Sequence, residues 1–487
     1  MSKPSRHLVA CLIGSIAALA LAAGAAIADD WLEQPTSIPG NWELKDDPLP
    51  PLADILDRPR AQVPVYGLYT WGGEYRGHRQ SINEVGFTTI RVSGPMQDDT
   101  MLALAEDGPD VLFTLQHGRR NQFASDEAFL AAYHDHVTTT LQRYGPGGSF
   151  FDEHPDAPYR PITQFNIWNE PNFHYMIPND PDRTRQELEA QREALYATLL
   201  PATYNLIKSD WPDVTVVGFS AGGAAAAERR FIRNVHELNE DVAEAYDVVS
   251  WQPYVHPAPP EAHSIQGWGT YSIAQGVDIN RRTLAEFGRE DTPIWFTEIG
   301  WPVSHEDGGH FPTSGSDFAT PELQAAYVTR LYALAMRLGV ERVHIMFATD
   351  TDGFNGGFFL RDGSWRPSAY VAQNMINLMP QPRLIDALSD GEDGYYAYLF
   401  SPDAQGGDPV LMAWNVAGPR TVQIELEGLD EVIVYDMLGN EKILSVSDGV
   451  LELEIGPYPV YTPIPEPGTL SLLGLVAPIV LSRRARR

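Results

Sequence analysis

Cysteine is nearly missing from this chain. There is a single one, Cys11, in 487 residues, so no internal disulfide can form. Basic residues are scarce, with 34 Lys and Arg against 65 Asp and Glu and a formal net charge of −31. Nucleic-acid binding wants a basic footprint, and this balance argues against it. Neither a paired Cys/His cluster nor a phosphate-cradling glycine loop occurs. Asp350-Thr351-Asp352-Gly353 hints at calcium, but the spacing of an EF-hand loop is absent. No metal and no cofactor is expected to be required. No internal repeat is evident. What is present is an apolar content of 43%, enough to bury one large domain and a smaller one. The acidic surface fits solubility in a salty or extracellular setting.

The two ends carry signals of their own. Lys3 and Arg6 precede an apolar run from Leu8 to Ile27, and Ala26-Ile27-Ala28 has the small residues of a cleavage site. Residues 1–28 are expected to be a secretory signal peptide. Leu8-Val9-Ala10-Cys11 resembles a lipoprotein box, but almost no apolar segment precedes it. Cleavage would leave a protein without cysteine, held by its core alone. At the other end Pro465-Glu466-Pro467-Gly468 precedes the apolar run Leu470–Leu481 and then Arg483, Arg484, Arg486 and Arg487. That run is short for a membrane span. Residues 464–487 resemble the PEP-type sorting tail of Gram-negative bacteria that make exopolysaccharide. The resemblance implies a membrane sorting enzyme as partner, removal of the tail, and a destination in the cell envelope or outside the cell.

Between these ends the chain alternates. Residues 29–62 are acidic and proline-rich and read as an extended lead-in. Strands are expected at Val63–Thr70, Phe87–Ser93, Val111–Gln116, Ile162–Trp168, Val214–Phe219, Val248–Tyr254, Pro293–Ile299 and Val343–Ala348. Helical patterns fall between them, at about Asp126–Tyr144, Asp182–Ser209 and Asn280–Phe287, and in the stripe Leu323, Tyr327, Leu331, Leu334, Leu338. Thr320 and Pro321 start that last helix and Gly339 stops it. Eight strands in this order make a (β/α)8 TIM barrel over residues 63–380 the economical reading. From about Tyr395 the pattern changes to apolar–polar alternation, in Thr421–Glu427 and Leu451–Ile455, with a Gly439-Asn440 turn. Residues 381–463 are expected to form a small antiparallel, sandwich-like β domain packed beside the barrel.

Two stretches carry the chemistry. Phe165-Asn-Ile-Trp-Asn-Glu-Pro-Asn172 is an apolar strand stopped by Pro171, which puts Asn169 and Glu170 at its carboxyl end. Pro293-Ile-Trp-Phe-Thr-Glu-Ile-Gly-Trp-Pro302 repeats the pattern and ends in Glu298. In a parallel barrel, catalytic groups collect at that end of the strands. Two glutamates so placed meet the requirement of retaining glycoside hydrolysis, one as acid and one as nucleophile.

Trp168-Asn169-Glu170-Pro171-Asn172 and Thr297-Glu298-Ile299-Gly300 resemble the signatures of a large clan of (β/α)8 glycoside hydrolases, closest in wording to family 39-like and family 5-like members. The resemblance implies Glu170 as general acid/base after an Asn on strand four, and Glu298 as nucleophile on strand seven. It implies that Asn169 bonds the sugar 2-hydroxyl and that Arg91 braces the nucleophile. His117 matches a strand-three histidine of some members. Tyr254 and His256 fall where the clan keeps an aromatic and a histidine that orient the nucleophile. On strand eight, where the clan often has a Trp platform, this chain has Phe347. Trp71, Trp168, Tyr175, Trp268 and Trp301 are candidate sugar platforms, Trp301 foremost, although large aromatics also fill cores. The expected partner is a polysaccharide or oligosaccharide.

Two other readings compete. Gly218-Phe219-Ser220-Ala221-Gly222 fits the Gly-x-Ser-x-Gly elbow of serine esterases, with Ser220 as nucleophile. It leaves both glutamate motifs unexplained. A barrel that binds sugar in a matrix without cleaving it is the alternative from another class.

Overall fold

The computed structural model describes residues 31–59, 64–223, 225–264, 271–303, 319–351, 354–426 and 428–465. The expected signal peptide, the sorting tail beyond Pro465, Trp268 and the Asp352-Gly353 pair lie outside them.

Eight parallel strands close into a barrel. They are β1 (Tyr66–Trp71), β2 (Thr89–Ser93), β3 (Asp110–Leu115), β4 (Gln164–Ile167), β5 (Thr215–Gly222), β6 (Val248–Gln252), β7 (Ile294–Ile299) and β8 (Val340–Met346). Each pairs in parallel with the next, and β8 returns to β1 through Val343 opposite Tyr66. The main outer helices are α1 (Gly72–Val85), α2 (Asp98–Asp107), α3 (Asp126–Tyr144), α4 (Arg185–Asp210), α5 (Ala225–Leu238), α6 (Ile273–Ala285), α7 (Pro321–Arg337) and α8 (Pro367–Leu378). The fold is a TIM barrel, as the alternation of the sequence implies.

Local chemistry accounts for the helix ends. Thr320 accepts from the Leu323 amide and Pro321 opens α7, while Gly339 follows it with a left-handed φ of 69°. In α4, Thr184 and Glu187 form a capping box. Pro201 sits inside this helix and offers no amide to the Ala197 carbonyl. The Asn239 side chain donates to that carbonyl at 2.8 Å instead, so the proline is tolerated. The sequence pattern missed α1, α2, α5 and α8, and it began α6 seven residues late at Asn280.

The C-terminal strands are β9 (Arg383–Asp390), β10 (Tyr395–Ser401), β11 (Val410–Asn415), β12 (Arg420–Glu425), β13 (Glu431–Tyr435), β14 (Glu441–Ser447), β15 (Val450–Ile455) and β16 (Val460–Pro463). They form one antiparallel ladder in the order β9-β10-β11-β16-β13-β14-β15-β12. Strand alternation explains how it joins the barrel. Tyr395, Ala397 and Leu399 face the ladder's own apolar core. Tyr396, Tyr398 and Phe400, between them, face the barrel's core. Leu411 and Ala413 divide from Met412 and Trp414 in the same way. One sheet therefore serves two cores.

A charged pair ties the two halves further. Arg330 of α7 and Glu261 have no solvent-exposed side-chain surface, and they pair through both guanidinium arms. Trp414 of β11 donates to Glu261 at 2.9 Å, and Arg330 donates to the Pro457 carbonyl at 3.0 Å. The lead-in runs along both halves: Arg58 donates to the Gly339 carbonyl, and the Leu32 amide to Asp436.

Candidate active site

The interior of the barrel carries a polar layer beneath its C-terminal mouth. Arg91 on β2 is completely buried. Its Nε donates to Thr114 Oγ1 at 3.1 Å, and its Nη1 to the Thr297 carbonyl at 3.1 Å and to Glu298 Oε2 at 3.0 Å. Nη2 donates to Asn169 Oδ1 at 2.6 Å. The Tyr69 ring lies against the guanidinium, 4.7 Å from centroid to Cζ. A buried guanidinium needs partners for all its donors, and β3, the end of β4, β5 (Ser220 Oγ at 3.5 Å) and β7 supply them.

Glu298 is held from both sides. Tyr254 donates its hydroxyl proton to Oε1 at 2.6 Å, opposite Arg91 on Oε2. Asn169 Oδ1 accepts from Arg91 and from Gln252 Nε2 at 2.8 Å, which fixes the amide and leaves its NH2 group facing away from those donors.

Two β-bulges shape the mouth. On β7, Thr297 and Glu298 together face the single residue His344 of β8. On β5, Ser220 is the extra residue between Phe219 and Ala221. A bulge re-aims a side chain that regular pleating would turn away. Here Thr297 turns inward, its Oγ1 2.9 Å from Ser220 Oγ, and Glu298 turns to the mouth. Trp168, Glu170, Phe219 and Ser220 adopt left-handed φ values of 70°, 45°, 72° and 45°, sparsely populated for residues with a side chain. The Glu170 amide donates to the Ser220 carbonyl at 3.1 Å, joining these turns. Asn172 completes the strap, exchanging two hydrogen bonds with the Gly222 backbone. Gly222 has no room for a side chain, since a Cβ there would stand 2.2 Å from Glu170 Oε1.

Glu170 and Glu298 line one cavity of about 610 Å³. Burial raises the pKa of both carboxyls. For Glu170 the nearby Glu298 charge adds to the rise, and the carboxyl is pushed up to about 8. For Glu298 the Arg91 charge and the hydrogen bonds from Tyr254 and Arg91 oppose it. The ionised form of Glu298 is the one with bound donors, so the proton of the pair resides on Glu170.

The other candidates fall in different places. His256 and Trp71 line the same cavity, as do Tyr175 and Phe347. Trp71 and Phe347 pack with centroids 4.4 Å apart and planes tilted by 32°, so Phe347 at the end of β8 is paired with a ring from β1. Trp301 is no platform. It is 1% exposed, donates to the Ala258 carbonyl at 2.8 Å and packs edge-on against Tyr327. Trp168 is buried among Phe129 and Tyr133. His117 stacks on His136 of α3 at 5.0 Å and does not line the cavity. Ser220 is fully buried, and the hydrogen-bond partners of its hydroxyl among the described residues are Thr297, Arg91 and Gln252, none of them a histidine. Asp350, the first residue of the calcium-like Asp350-Thr351-Asp352-Gly353 stretch, accepts from the Gly357 amide and pairs with Arg366. Among the described residues no cluster of side chains suits a metal ion, and no helix is long and apolar enough to cross a membrane.

Sequence reading missed Thr114, Gln252, Thr297 and the tight seat at Gly222. Their signal is faint: single polar residues at inward positions of otherwise apolar strands.

No protein-family profile and no curated protein matches the chain. Solved structures do. A family 39 glycoside hydrolase from Bacteroides cellulosilyticus superposes with a TM-score of 0.62 at 21% identity, over 82% of this chain and 81% of that one. The GH39 enzyme of Xanthomonas axonopodis gives 0.53 at 14% identity, over 88% and 97%. A family 51 α-L-arabinofuranosidase from Thermotoga petrophila gives 0.55 at 11% identity, over 83% and 97%. At such identities the likeness is one of fold.

Proposed function

We propose that this chain is a retaining glycoside hydrolase, with Glu298 as nucleophile and Glu170 as general acid/base. The observation that carries the reading is the split environment of two carboxyls in one cavity. Arg91 and Tyr254 bind the ionised form of Glu298 and oppose the rise that burial gives it, while Glu170 has no such donors among the described residues and is pushed up to about 8. Pairs of acids whose surroundings drive their pKa values apart mark acid and base assignments. The resemblance in fold to family 39 and family 51 enzymes supports the same chemistry and favours the family 39-like wording over the family 5-like one.

In the first step Glu298 attacks the anomeric carbon, and the C–O bond to the leaving group breaks as Glu170 donates its proton to that oxygen. In the second, Glu170 takes a proton from water, the water oxygen attacks the anomeric carbon, and Glu298 leaves. Asn169 faces its free NH2 toward the 2-hydroxyl. The product keeps its anomeric configuration.

Proton NMR of the first-formed sugar tests this. Retention is expected, and an inverted anomer overturns the assignment. Glu298→Gln should abolish turnover. Glu170→Ala should stall as a glycosyl-enzyme on activated aryl glycosides and resume with added azide. A matrix protein that only binds sugar would retain a polysaccharide without shortening it. The esterase reading lacks a base for Ser220, so Ser220→Ala should leave glycoside cleavage within about tenfold of wild type.

Export by the signal peptide, loss of the PEP-type tail to a sorting enzyme, and a place in the envelope or outside the cell belong to the same proposal. The intact mass of the exported protein tests it, and a retained arginine cluster counts against sorting.

A further inference from the structure

One carboxylate closes the seam between the first and last strands of the barrel. Ala348, just beyond β8, still donates its amide to the Tyr69 carbonyl of β1 at 3.0 Å. At the next residue the chain turns to a side chain instead. The Thr349 amide donates to Glu74 Oε1 at 2.6 Å, and the Thr349 hydroxyl donates to the same oxygen. Glu74 stands in the first turn of α1. Its other oxygen, Oε2, accepts from the Trp71 amide at 3.1 Å and from Thr70 Oγ1 at 2.9 Å. One arm of the carboxylate thus holds the end of β1 and the other holds the segment after β8. Hydrogen bonds to an ionised acceptor are the strong ones, so this clamp is stiff.

The two segments so joined carry an aromatic wall. Trp71 ends β1 and Phe347 follows β8, and both line the cavity with Glu170 and Glu298. Tyr69 packs on each, its centroid 5.6 Å from Trp71 and 4.9 Å from Phe347, and Phe354 meets Phe347 edge-on. Phe347 is buried, whereas Trp71 is 37% exposed. A large ring left that open at the wall of a cavity is a surface for a ligand, and its face suits the C–H face of a sugar. We propose that Glu74 is a positioning residue for sugar binding: by clamping β1 to the segment after β8 it sets Trp71 against Phe347, and the pair forms a platform for the glycoside. The proposal rests on the glycosidase reading and deepens it by assigning a determinant of affinity at the same site. Glu74 neither attacks nor moves a proton. A platform contact serves ground state and transition state alike, so its loss raises KM and leaves kcat.

The test compares Glu74→Gln, Trp71→Ala and the double variant. Glutamine keeps the size of the side chain, but its NH2 group must face the donors of one arm, so that arm opens. Glu74→Asp, too short to reach both arms, is the second probe of the clamp. Kinetics on p-nitrophenyl xyloside, glucoside and arabinofuranoside are joined by calorimetry with deoxynojirimycin and its xylose-configured analogue. Each single variant should raise KM by about tenfold with kcat kept within about threefold, and should weaken iminosugar binding by a similar factor. The double variant should do no worse than Trp71→Ala, since both changes act through one platform. Additive losses, which a Glu74 that only stabilises the fold would give, overturn the proposal. So do Glu74 variants that lose kcat rather than affinity, and so does a Trp71→Ala variant with unchanged KM and binding. Iminosugar binding that weakens in the variants, in a protein that cleaves none of the glycosides, overturns the glycosidase reading and upholds the platform. Absence of both turnover and binding counts against the two together.

Discussion

Ser220 Oγ and Thr297 Oγ1 lie 2.9 Å apart inside the barrel, and each belongs to a β-bulge, on β5 and on β7. The bond joins the strand that seats Glu170 to the strand that carries Glu298. Below it Arg91 reaches Asn169 and Glu298 together. The site is thus built from irregularities that hold one another, and four predictions test how much each part contributes.

Arg91 keeps Glu298 ionised. Arg91→Lys retains a charge but loses the planar fork that serves four strands. Activity should fall by roughly 100-fold, the scale of losing one preorganised electrostatic contact. The acid limb of kcat/KM should move to higher pH, because the Glu298 pKa rises when its counter-charge weakens. An unchanged acid limb in a folded, slowed variant would sink this role.

Glu170 sets the basic limb. Activity should decline as pH rises through about 8, where the acid loses its proton. Stability should follow the same group. Its folded pKa lies above the unfolded carboxyl value of about 4.3, so its contribution is complete below that pH and is lost as pH rises through the folded value. Glu170→Gln should therefore gain Tm over wild type as pH is raised from 5 to 9. A constant difference in melting across that range would contradict the raised pKa.

Gly222 gives Glu170 its seat. With a Cβ at 2.2 Å from Oε1, Gly222→Ala must push the carboxyl aside. The fold should survive, since Gly222 ends a strand, while kcat drops by about 100-fold from misplacement alone. Azide should not rescue this variant as it rescues Glu170→Ala, because the displaced carboxyl still blocks the space. Near-normal kcat would show that Glu170 works from another position.

Glu261 ties the barrel to the β domain. Glu261→Ala strands the buried Arg330 charge and the Trp414 indole N–H, and should destabilise by about 3–5 kcal/mol. Calorimetry should show one cooperative transition for the wild type, since residues of β10 and β11 sit in both cores. Two well-separated transitions in the wild type would refute the shared core.

What the sequence determined was periodic or punctuated. Apolar runs at βα spacing declared the barrel, and Pro171 and Gly300 ended two strands beside their carboxylates. The change to alternation near Tyr395 declared the β ladder, although not that its second face would fill the barrel's core. These are local properties, written in a few consecutive residues. The tertiary structure decided the rest. Trp301 and Trp168 became core, because ring chemistry alone does not say which side of the wall an aromatic faces. His117 turned to α3, and Ser220, read as a possible nucleophile, became a brace. At Ser220 and Thr297 bulges made the difference: one extra residue reverses the face a side chain takes, and no periodicity in the sequence announces it. The split of the two carboxyls likewise depends on burial and on a guanidinium more than two hundred positions from Glu298 along the chain. Such long-range electrostatics exist only once the barrel has closed.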